Sequence, residues 1–294
     1  MKKSISIFLS SILLATSFIG CSSNATQGNE DAFNAEKEIS VISREDGSGT
    51  RGAFTELFDI IEKNDAGEKI DKTVETADIT QSTGVMLTSV ESNKYAIGYV
   101  SLGSINDNIK VLDIDNAKAS TENIKNGNYK ISRPFNIATM GQPNQQATDF
   151  INFIMSIEGQ KVVEDAGYIS KENIGNFKSA MPTGKISIAG SSSVAPVMEK
   201  LKEAYEKING NLSIEISQSD STNGLNSVAD GICDIGMASR ELKESELSKG
   251  ISATAIALDG IAVIVNKSNT INNLSSETVK QIYTGKIAVW NEVE

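Results

Sequence analysis

The segment that most constrains the fold is a turn rich in glycine and hydroxyl residues at positions 43–54, Ser-Arg-Glu-Asp-Gly-Ser-Gly-Thr-Arg-Gly-Ala-Phe. The β-branched run Ile-Ser-Val-Ile at 39–42 precedes it. Apolar residues at helical spacing follow it, namely Phe54, Leu57, Phe58 and Ile61. This order predicts a strand, a turn and a helix N-terminus. There the first N–H groups lack intrahelical acceptors and the helix dipole favours an anion, so the segment predicts an oxyanion-binding turn.

The side chains of this turn also suit an oxyanion. Gly47 and Gly49 allow the backbone to approach a ligand closely, while Ser48 and Thr50 add hydroxyl donors. Arg44 supplies a planar fork of N–H donors that fits a tetrahedral anion. Serine is common as an ordinary helix N-cap, but a cap needs neither the arginine nor both glycines. We therefore interpret the turn as a binding element.

A second unit of the same kind begins with a strand at residues 186–190, followed by three serines at 191–193. Its helix face is formed by Val197, Met198, Leu201, Ala204, Tyr205 and Ile208. Hydroxyl residues also follow strands at 218–224 and at Ser239. For residues 191–193 alone, ordinary capping remains an open alternative. The two strand–hydroxyl–helix units predict two lobes that close on one anion from opposite sides. All four turns are expected at the carboxyl ends of strands, where ligands of α/β sheets bind.

Composition disfavours several functional classes. The chain contains no histidine, which removes a Ser-His-Asp triad and most histidine-containing metal sites. Its formal net charge of −11 and the lack of a basic tract argue against a nucleic-acid partner. Neither a Gly-x-Ser-x-Gly elbow nor a Gly-x-x-x-x-Gly-Lys-Ser/Thr loop occurs. We expect no enzymatic activity, no cofactor and no metal; a serine hydrolase or phosphatase is the disfavoured alternative.

The N-terminus predicts export and lipidation. Two lysines precede an apolar run at residues 5–19, which has the layout of a secretory signal and is short for a membrane span. Gly20 before Cys21 resembles a bacterial lipobox. We expect a signal peptide at 1–20 and a polar, lipidated tether at 21–38, which would anchor the protein to the extracytoplasmic face of the cell membrane. A chance cysteine at the end of an uncleaved anchor is the alternative.

Strands and helices alternate through the remaining chain. We expect one long amphipathic helix from Phe150 to Gly167 and a buried strand at residues 232–235 that contains Cys233. Further strands are expected at residues 78–80, 95–100, 110–114, 131–140, 212–217 and 260–266. This alternation predicts α/β architecture with mainly parallel sheets flanked by helices.

The serine turns together resemble the phosphate-binding lipoproteins of bacterial phosphate ABC importers, the PstS family. The specific matches are Ser-Arg-Glu-Asp-Gly-Ser-Gly-Thr-Arg (43–51), Ala-Gly-Ser-Ser-Ser-Val-Ala-Pro (189–196) and Asp-Ile-Gly-Met-Ala-Ser-Arg-Glu-Leu (234–242). Less specific matches lie at residues 150–160, 259–266 and 285–293. Together they cover nearly everything after residue 38.

The order of these segments differs from the family pattern. In the family, the Ala-Gly-Ser segment comes first and a Trp-Asn-Glu-Val segment runs directly into the Ser-Arg-Glu-Asp segment. Here the chain ends in Trp-Asn-Glu-Val-Glu at 290–294. The order implies a circular permutation in which residues 181–185 join the original ends, a change tolerated when termini lie close together. The alternative is a mis-assembled or truncated reading frame.

The resemblance implies a two-lobe periplasmic-binding-protein-like fold of type II. Two crossover strands are expected near 131–138 and 260–265. One lobe would comprise residues 39–134 plus 262–294, and the other residues 137–259.

The resemblance also implies a set of phosphate contacts. Arg44, Ser48, Gly49 and Thr50 would donate from one lobe, and Ser192, Ser193 and Ser221 from the other. Ser239 would complete the site as a residue that can accept a hydrogen bond. Asp46 would orient Arg44 and could accept a ligand proton. Ser239 stands where some members have an aspartate that accepts a hydrogen bond from protonated phosphate. A serine repels sulfate less, so rejection of sulfate is the open part of this assignment.

The implied function is that of a monomeric extracytoplasmic receptor that binds inorganic phosphate between its lobes. It would deliver phosphate to the permease subunits of an ABC importer and contact the membrane through its lipid anchor. Two alternatives remain open. One is a binder of another oxyanion, such as sulfate or molybdate, on the same fold. The other is a surface lipoprotein without a role in transport.

Overall fold

A ten-stranded mixed sheet forms the centre of the fold in the computed structural model, which describes residues 32–293. The predicted signal peptide, Cys21 and the tether up to residue 31 lie outside these residues. Within residues 32–293, no helix is both long enough and apolar enough to cross a membrane.

The secondary-structure elements follow in chain order. The strands are β1 (Ser40–Arg44), β2 (Ile61–Lys63), β3 (Lys69–Asp71), β4 (Asp78–Thr80), β5 (Ala96–Ser101), β6 (Ile109–Val111), β7 (Asp113–Ile114), β8 (Ser132–Met140), β9 (Ile169–Ser170), β10 (Gly184–Ser191), β11 (Leu212–Ser219), β12 (Ile235–Ala238), β13 (Ile251–Asn266) and β14 (Asn273–Leu274). The helices are α1 (Gly49–Leu57), α2 (Thr83–Ser92), α3 (Thr121–Lys125), α4 (Gln145–Ile154), α5 (Ile157–Asp165), α6 (Ala195–Glu206), α7 (Ser221–Ala229), α8 (Glu244–Leu247) and α9 (Ser276–Tyr283).

The sheet combines parallel outer strands with an antiparallel centre. Its order is β11-β10-β12-β8-β13-β5-β1-β4, and β6 and β9 also pair with β13. On one side β10 runs parallel to β11 and β12, and on the other side β1 runs parallel to β4 and β5. The central strands β8 and β13 are antiparallel to each other and to their outer neighbours. The predicted mainly parallel sheet is therefore corrected to a mixed one, because both crossover strands lie in its middle.

The apolar core contains two large clusters. Apart from Ile169, the first comes from residues 41–131 and 261–290 and includes Phe54 and Tyr99, whose rings stack 3.9 Å apart. The second comes from residues 135–257. The division into lobes at 39–134 plus 262–294 and 137–259 stays a prediction.

Several predicted elements differ locally. Helix α1 ends at Leu57, so Phe58 is its C-cap and Ile61 lies in β2. The predicted long helix after Phe150 is two helices, because Ser156 caps a second one by accepting a hydrogen bond from the Gly159 N–H at 3.1 Å. Cys233 is buried, but it precedes β12 rather than lying in a strand.

Candidate functional site

Seven buried hydroxyl side chains gather at the carboxyl ends of five sheet strands. None is more than 5% exposed. We refer to them as the hydroxyl cluster, which consists of Thr50, Thr83, Ser191, Ser192, Ser193, Ser221 and Ser239. Their local sequences explain the arrangement, since Ser191 ends β10 and each of the others follows β1, β4, β10, β11 or β12 within a few residues.

Four helices begin at the hydroxyl cluster. Thr50 lies in the first turn of α1, while Thr83 and Ser221 are the first residues of α2 and α7. Residues 191–193 precede α6. Helix N-termini present unpaired N–H groups and the positive end of the helix dipole. Their convergence favours a bound anion at the cluster.

Hydroxyl groups near β1 and β4, on one side of the central strands, are in direct contact with hydroxyl groups near β10 and β12 on the other side. We call these groups the two sides of the cluster. Thr50 Oγ1 lies 2.9 Å from Ser193 Oγ and 3.4 Å from Ser239 Oγ. Thr83 Oγ1 lies 3.0 Å from Ser193 Oγ. The Ser191 hydroxyl donates to Ser239 Oγ at 3.0 Å. The α1 and α2 turns therefore meet the β10 and β12 turns through hydroxyl groups rather than apolar side chains.

The Arg44 guanidinium is fixed against this cluster. Arg44 is 2% exposed, and its Nη2 donates to Ser192 Oγ at 3.2 Å. Its Nε and Nη2 also donate to the Glu45 carboxylate at 2.8 and 2.7 Å. The Arg44 backbone N–H donates to the Tyr99 hydroxyl at 3.2 Å, and burial raises the pKa of Tyr99 to about 12. Tyr99 thus remains a neutral support for the turn at physiological pH.

Asp46 does not join the cluster. Its side chain is 96% exposed and accepts a hydrogen bond from Arg51 Nη1 at 2.7 Å. The Glu45 side chain is only 11% exposed and holds Arg44 instead. The prediction that Asp46 orients Arg44 is therefore wrong. Arg51 also donates to the Arg44 carbonyl at 2.8 Å, so Asp46 acts on the outer side of the turn.

Ser48 and Gly49 shape the turn rather than extend the hydroxyl contacts. Ser48 Oγ accepts a hydrogen bond from the Arg51 N–H at 3.3 Å, as an N-cap does. A Cβ atom at Gly49 would lie 2.4 Å from Ser221 Oγ and 2.7 Å from Ser239 Oγ. Glycine is therefore needed for the two sides to approach.

The cluster brings together six of the nine predicted ligand residues. They are Arg44, Thr50, Ser192, Ser193, Ser221 and Ser239. Their contact with phosphate stays a prediction. Thr83 was missed, although the Ser-Thr-Gly sequence at 82–84 follows a predicted strand in the same pattern as the other turns.

Arg133 was also missed, and it lies in no motif of the turns. It is 3% exposed and donates to Thr50 Oγ1 at 2.9 Å, to the Ser239 carbonyl at 2.7 Å and to Asp259 Oδ2 at 2.6 Å. Burial lowers the pKa of Arg133, while the Asp259 carboxylate opposes that shift. The described site therefore contains two buried guanidinium groups, each paired with a carboxylate.

The chemistry of the cluster is that of hydrogen-bond donors. Within residues 32–293, no group of three or more His, Cys, Asp or Glu could hold a metal ion. A cavity of about 300 Å³ lies elsewhere, lined by Leu57, Ile114, Asp115, Asn128, Tyr129, Lys130, Ile131 and Ser276. Its lining includes no member of the hydroxyl cluster and no arginine, so the cluster is the better candidate for an oxyanion.

Comparisons with known proteins identify the family of this chain. A family model described as a PBP superfamily domain matches residues 22–158 and 176–294. The phosphate-binding protein PstS 2 of Streptococcus agalactiae serotype V is 52% identical over 96% of this chain and 97% of that protein. The PstS 2 of Streptococcus pneumoniae serotype 4 is 44% identical over 91% of this chain and 92% of that protein.

A solved structure is similar over a comparable length. It is the phosphate-binding protein of a phosphate ABC transporter from Streptococcus pneumoniae TIGR4, with 44% identity and a TM-score of 0.69. The match covers 88% of this chain and 100% of the solved chain. Because the S. agalactiae match runs through nearly the full length of both proteins, that relative shares the segment order, which disfavours a mis-assembled reading frame. The chain belongs to the PstS family of phosphate-binding proteins, within the PBP superfamily.

Proposed function

We propose that this protein is an extracytoplasmic receptor that binds inorganic phosphate at the hydroxyl cluster and delivers it to an ABC importer. One observation carries the proposal: in a PstS-family chain, buried hydroxyl groups and the Arg44 guanidinium converge on the N-termini of four helices. Arg44 would supply charge and a planar fork of donors. The hydroxyl groups, the Gly49 N–H and its neighbours would surround the remaining phosphate oxygens.

The donors are numerous enough for useful affinity. Phosphate has five heavy atoms, and a ceiling of about −1.5 kcal/mol per atom gives about −7.5 kcal/mol, near a micromolar dissociation constant. Reaching that ceiling requires a donor for nearly every oxygen lone pair. The hydroxyl groups that now bond to one another would turn their protons toward the anion, so binding exchanges hydrogen bonds within the cluster for bonds to phosphate.

The family and the N-terminal sequence support a membrane-anchored, extracytoplasmic setting. Cleavage after residue 20 and lipidation of Cys21 would place the protein on the outer face of the membrane, with residues 21–38 as a tether. A monomer held there could dock on the permease subunits of the importer. Detection of a diacylglyceryl group on Cys21 by mass spectrometry would test the anchor, and retention of residues 1–20 would contradict it.

Selectivity for phosphate over sulfate depends on whether a negative charge faces the bound anion. Ser239 lies in the cluster with a neutral side chain, while Glu45 and Asp259 are each paired with an arginine. No unpaired carboxylate is thus available among these described residues to repel an unprotonated anion. This observation favours a second candidate, a receptor that accepts sulfate as well as phosphate.

Titration calorimetry tests the proposed function. The full-length chain in detergent would be unfolded, freed of phosphate and refolded, then titrated with phosphate and with sulfate. We expect micromolar or tighter binding of phosphate. Arg44→Ala should abolish tight binding while circular dichroism shows a folded protein. Arg44→Lys, which keeps the charge but loses the fork, should bind with intermediate affinity. Unchanged phosphate affinity in Arg44→Ala would contradict the assigned site.

A further inference from the structure

We propose that Arg133, in the central strand β8, is a second cationic ligand of the bound anion. The inference rests on the proposed function and names a residue outside the serine turns. Arg133 reaches the hydroxyl cluster from the middle of the sheet, whereas Arg44 reaches it from the end of β1.

The hydrogen bonds of Arg133 leave donors available. A guanidinium has five N–H groups. Nε donates to the Ser239 carbonyl at 2.7 Å, Nη1 to Asp259 Oδ2 at 2.6 Å and Nη2 to Thr50 Oγ1 at 2.9 Å. Two N–H groups therefore remain for another acceptor. Because Thr50 Oγ1 accepts a hydrogen bond from Arg133, the hydroxyl proton of Thr50 is free to point toward an anion.

The two guanidinium groups lie at opposite ends of one chain of hydroxyl contacts. Arg133 contacts Thr50 at 2.9 Å, Thr50 contacts Ser193 at 2.9 Å and Ser193 contacts Thr83 at 3.0 Å. Thr83 Oγ1 in turn lies 3.4 Å from Arg44 Nη1. The positive charge of Arg44 also contributes to lowering the pKa of Arg133, after burial itself. Two cations that repel each other in a dry site are both stabilised by an anion between them.

A purely structural role does not require this geometry. An ion pair with Asp259 and the Phe135 ring, which lies 5.0 Å from the guanidinium carbon, would suffice to hold Arg133 in the core. The fork nevertheless reaches Thr50 from the α1 turn and the Ser239 carbonyl from the β12 turn. Arg133 thus contacts both sides of the hydroxyl cluster from a strand that belongs to neither turn.

Paired substitutions separate binding from folding. Arg133→Gln with Asp259→Asn removes both charges of the buried pair and keeps side chains of similar size. We expect this double variant to bind phosphate about tenfold to a hundredfold more weakly, as expected for loss of a charged hydrogen-bond donor. The matched control is Arg240→Gln with Glu246→Gln, a second buried ion pair, which is joined at 2.7 and 2.8 Å. The control should bind within about threefold of the wild type, because Arg240 donates to none of the cluster hydroxyls in the described contacts.

Calorimetry on the full-length chain and a crystal structure of its phosphate complex decide the matter. We expect an Arg133 guanidinium nitrogen within about 3.2 Å of a phosphate oxygen. Wild-type affinity in the double variant, or a phosphate more than about 4 Å from Arg133, would overturn the proposal. If the double variant does not fold, the distance in the wild-type complex still decides. A wild-type protein that binds no phosphate would instead refute the proposed function.

Discussion

Arg44 and Glu45 are neighbours in sequence and partners in a bidentate ion pair, with N–O distances of 2.8 and 2.7 Å. Only 3% of the Arg44 side chain and 11% of the Glu45 side chain are exposed. Both charges have therefore left water, and each depends on the other for compensation. The relationship fixes the guanidinium at the hydroxyl cluster without the exposed Asp46.

Neutralising Glu45 should therefore destabilise the protein much more than neutralising Asp46. Glu45→Gln leaves the Arg44 charge buried and unpaired, which costs about 3 kcal/mol of unfolding free energy. Asp46→Asn removes a carboxylate that is 96% exposed, and its effect should stay within about 0.5 kcal/mol. Urea unfolding without phosphate measures both values. Equal losses for the two variants would show that Glu45 is not the carboxylate that compensates Arg44.

Gly49 should not tolerate a side chain, because it faces the hydroxyl cluster directly. In Gly49→Ala the new methyl would meet Ser221 Oγ at 2.4 Å and Ser239 Oγ at 2.7 Å. The two sides of the cluster would have to separate, so phosphate affinity should fall by about tenfold or more. Calorimetric titration measures this loss.

Gly84→Ala is the matched control, because the nearest atom to its new methyl is Ser82 Oγ at 4.0 Å. Gly84 lies in the first turn of α2, and alanine there should leave binding unchanged and raise the unfolding free energy by up to about 1 kcal/mol. A Gly49→Ala variant that binds like this control would contradict the close approach.

The residues that the strand–turn–helix units bring to the site could be predicted from the sequence. The contacts that depend on the pairing of strands distant in sequence could not. Glycines and hydroxyl residues after β-rich runs predict strand–turn–helix units, and Thr50, Ser193 and Ser221 lie where those units place them. Arg133 reaches the cluster only because β8 pairs with β12 and β13, and no local pattern reports that pairing.

Neighbouring carboxylates present a similar difficulty. Glu45 and Asp46 are one residue apart, and the direction of the turn decides which of them faces inward. The mixed sheet was missed for the same reason as Arg133. Strand direction at the centre depends on where the chain crosses between its two halves, whereas periodicity reports only that a strand exists.

Asp259 should make the unfolding free energy depend on pH between about 4 and 6. Burial raises the pKa of Asp259 from 3.8 to about 6, although the Arg133 guanidinium opposes the shift. In this window the folded state keeps a proton that the unfolded state has lost, so the stabilising contribution is complete below about pH 4 and is lost as the pH rises through about 6.

Comparison with Asp259→Asn isolates this contribution from those of other carboxylates. The wild-type unfolding free energy minus that of the variant should fall from pH 4 to pH 6, by at most about 3 kcal/mol. Urea unfolding across this range measures the difference. A difference that grows with pH would show that Arg133 holds the pKa of Asp259 below its ordinary value.

Ser239→Asp should increase discrimination between phosphate and sulfate. Ser239 Oγ lies 3.0 Å from Ser191 Oγ and 3.4 Å from the hydroxyl oxygens of Thr50 and Ser221. A carboxylate there would accept the proton that phosphate carries near neutral pH. Sulfate carries no proton, so its lone pairs would face a negative charge. Such a contact costs several kcal/mol, and the ratio of phosphate to sulfate affinity should rise by at least about tenfold.

Ser239→Asn is the control for this change, because its side chain has nearly the shape of aspartate but no charge and can donate to either anion. Competition calorimetry should find a raised ratio in Ser239→Asp and an unchanged or lower ratio in Ser239→Asn. If both variants lost affinity for the two anions equally, size rather than charge would govern this position. The neutral side chain of Ser239 would then not determine the ratio of phosphate to sulfate affinity, and Arg44 and Arg133 would be the next residues to substitute.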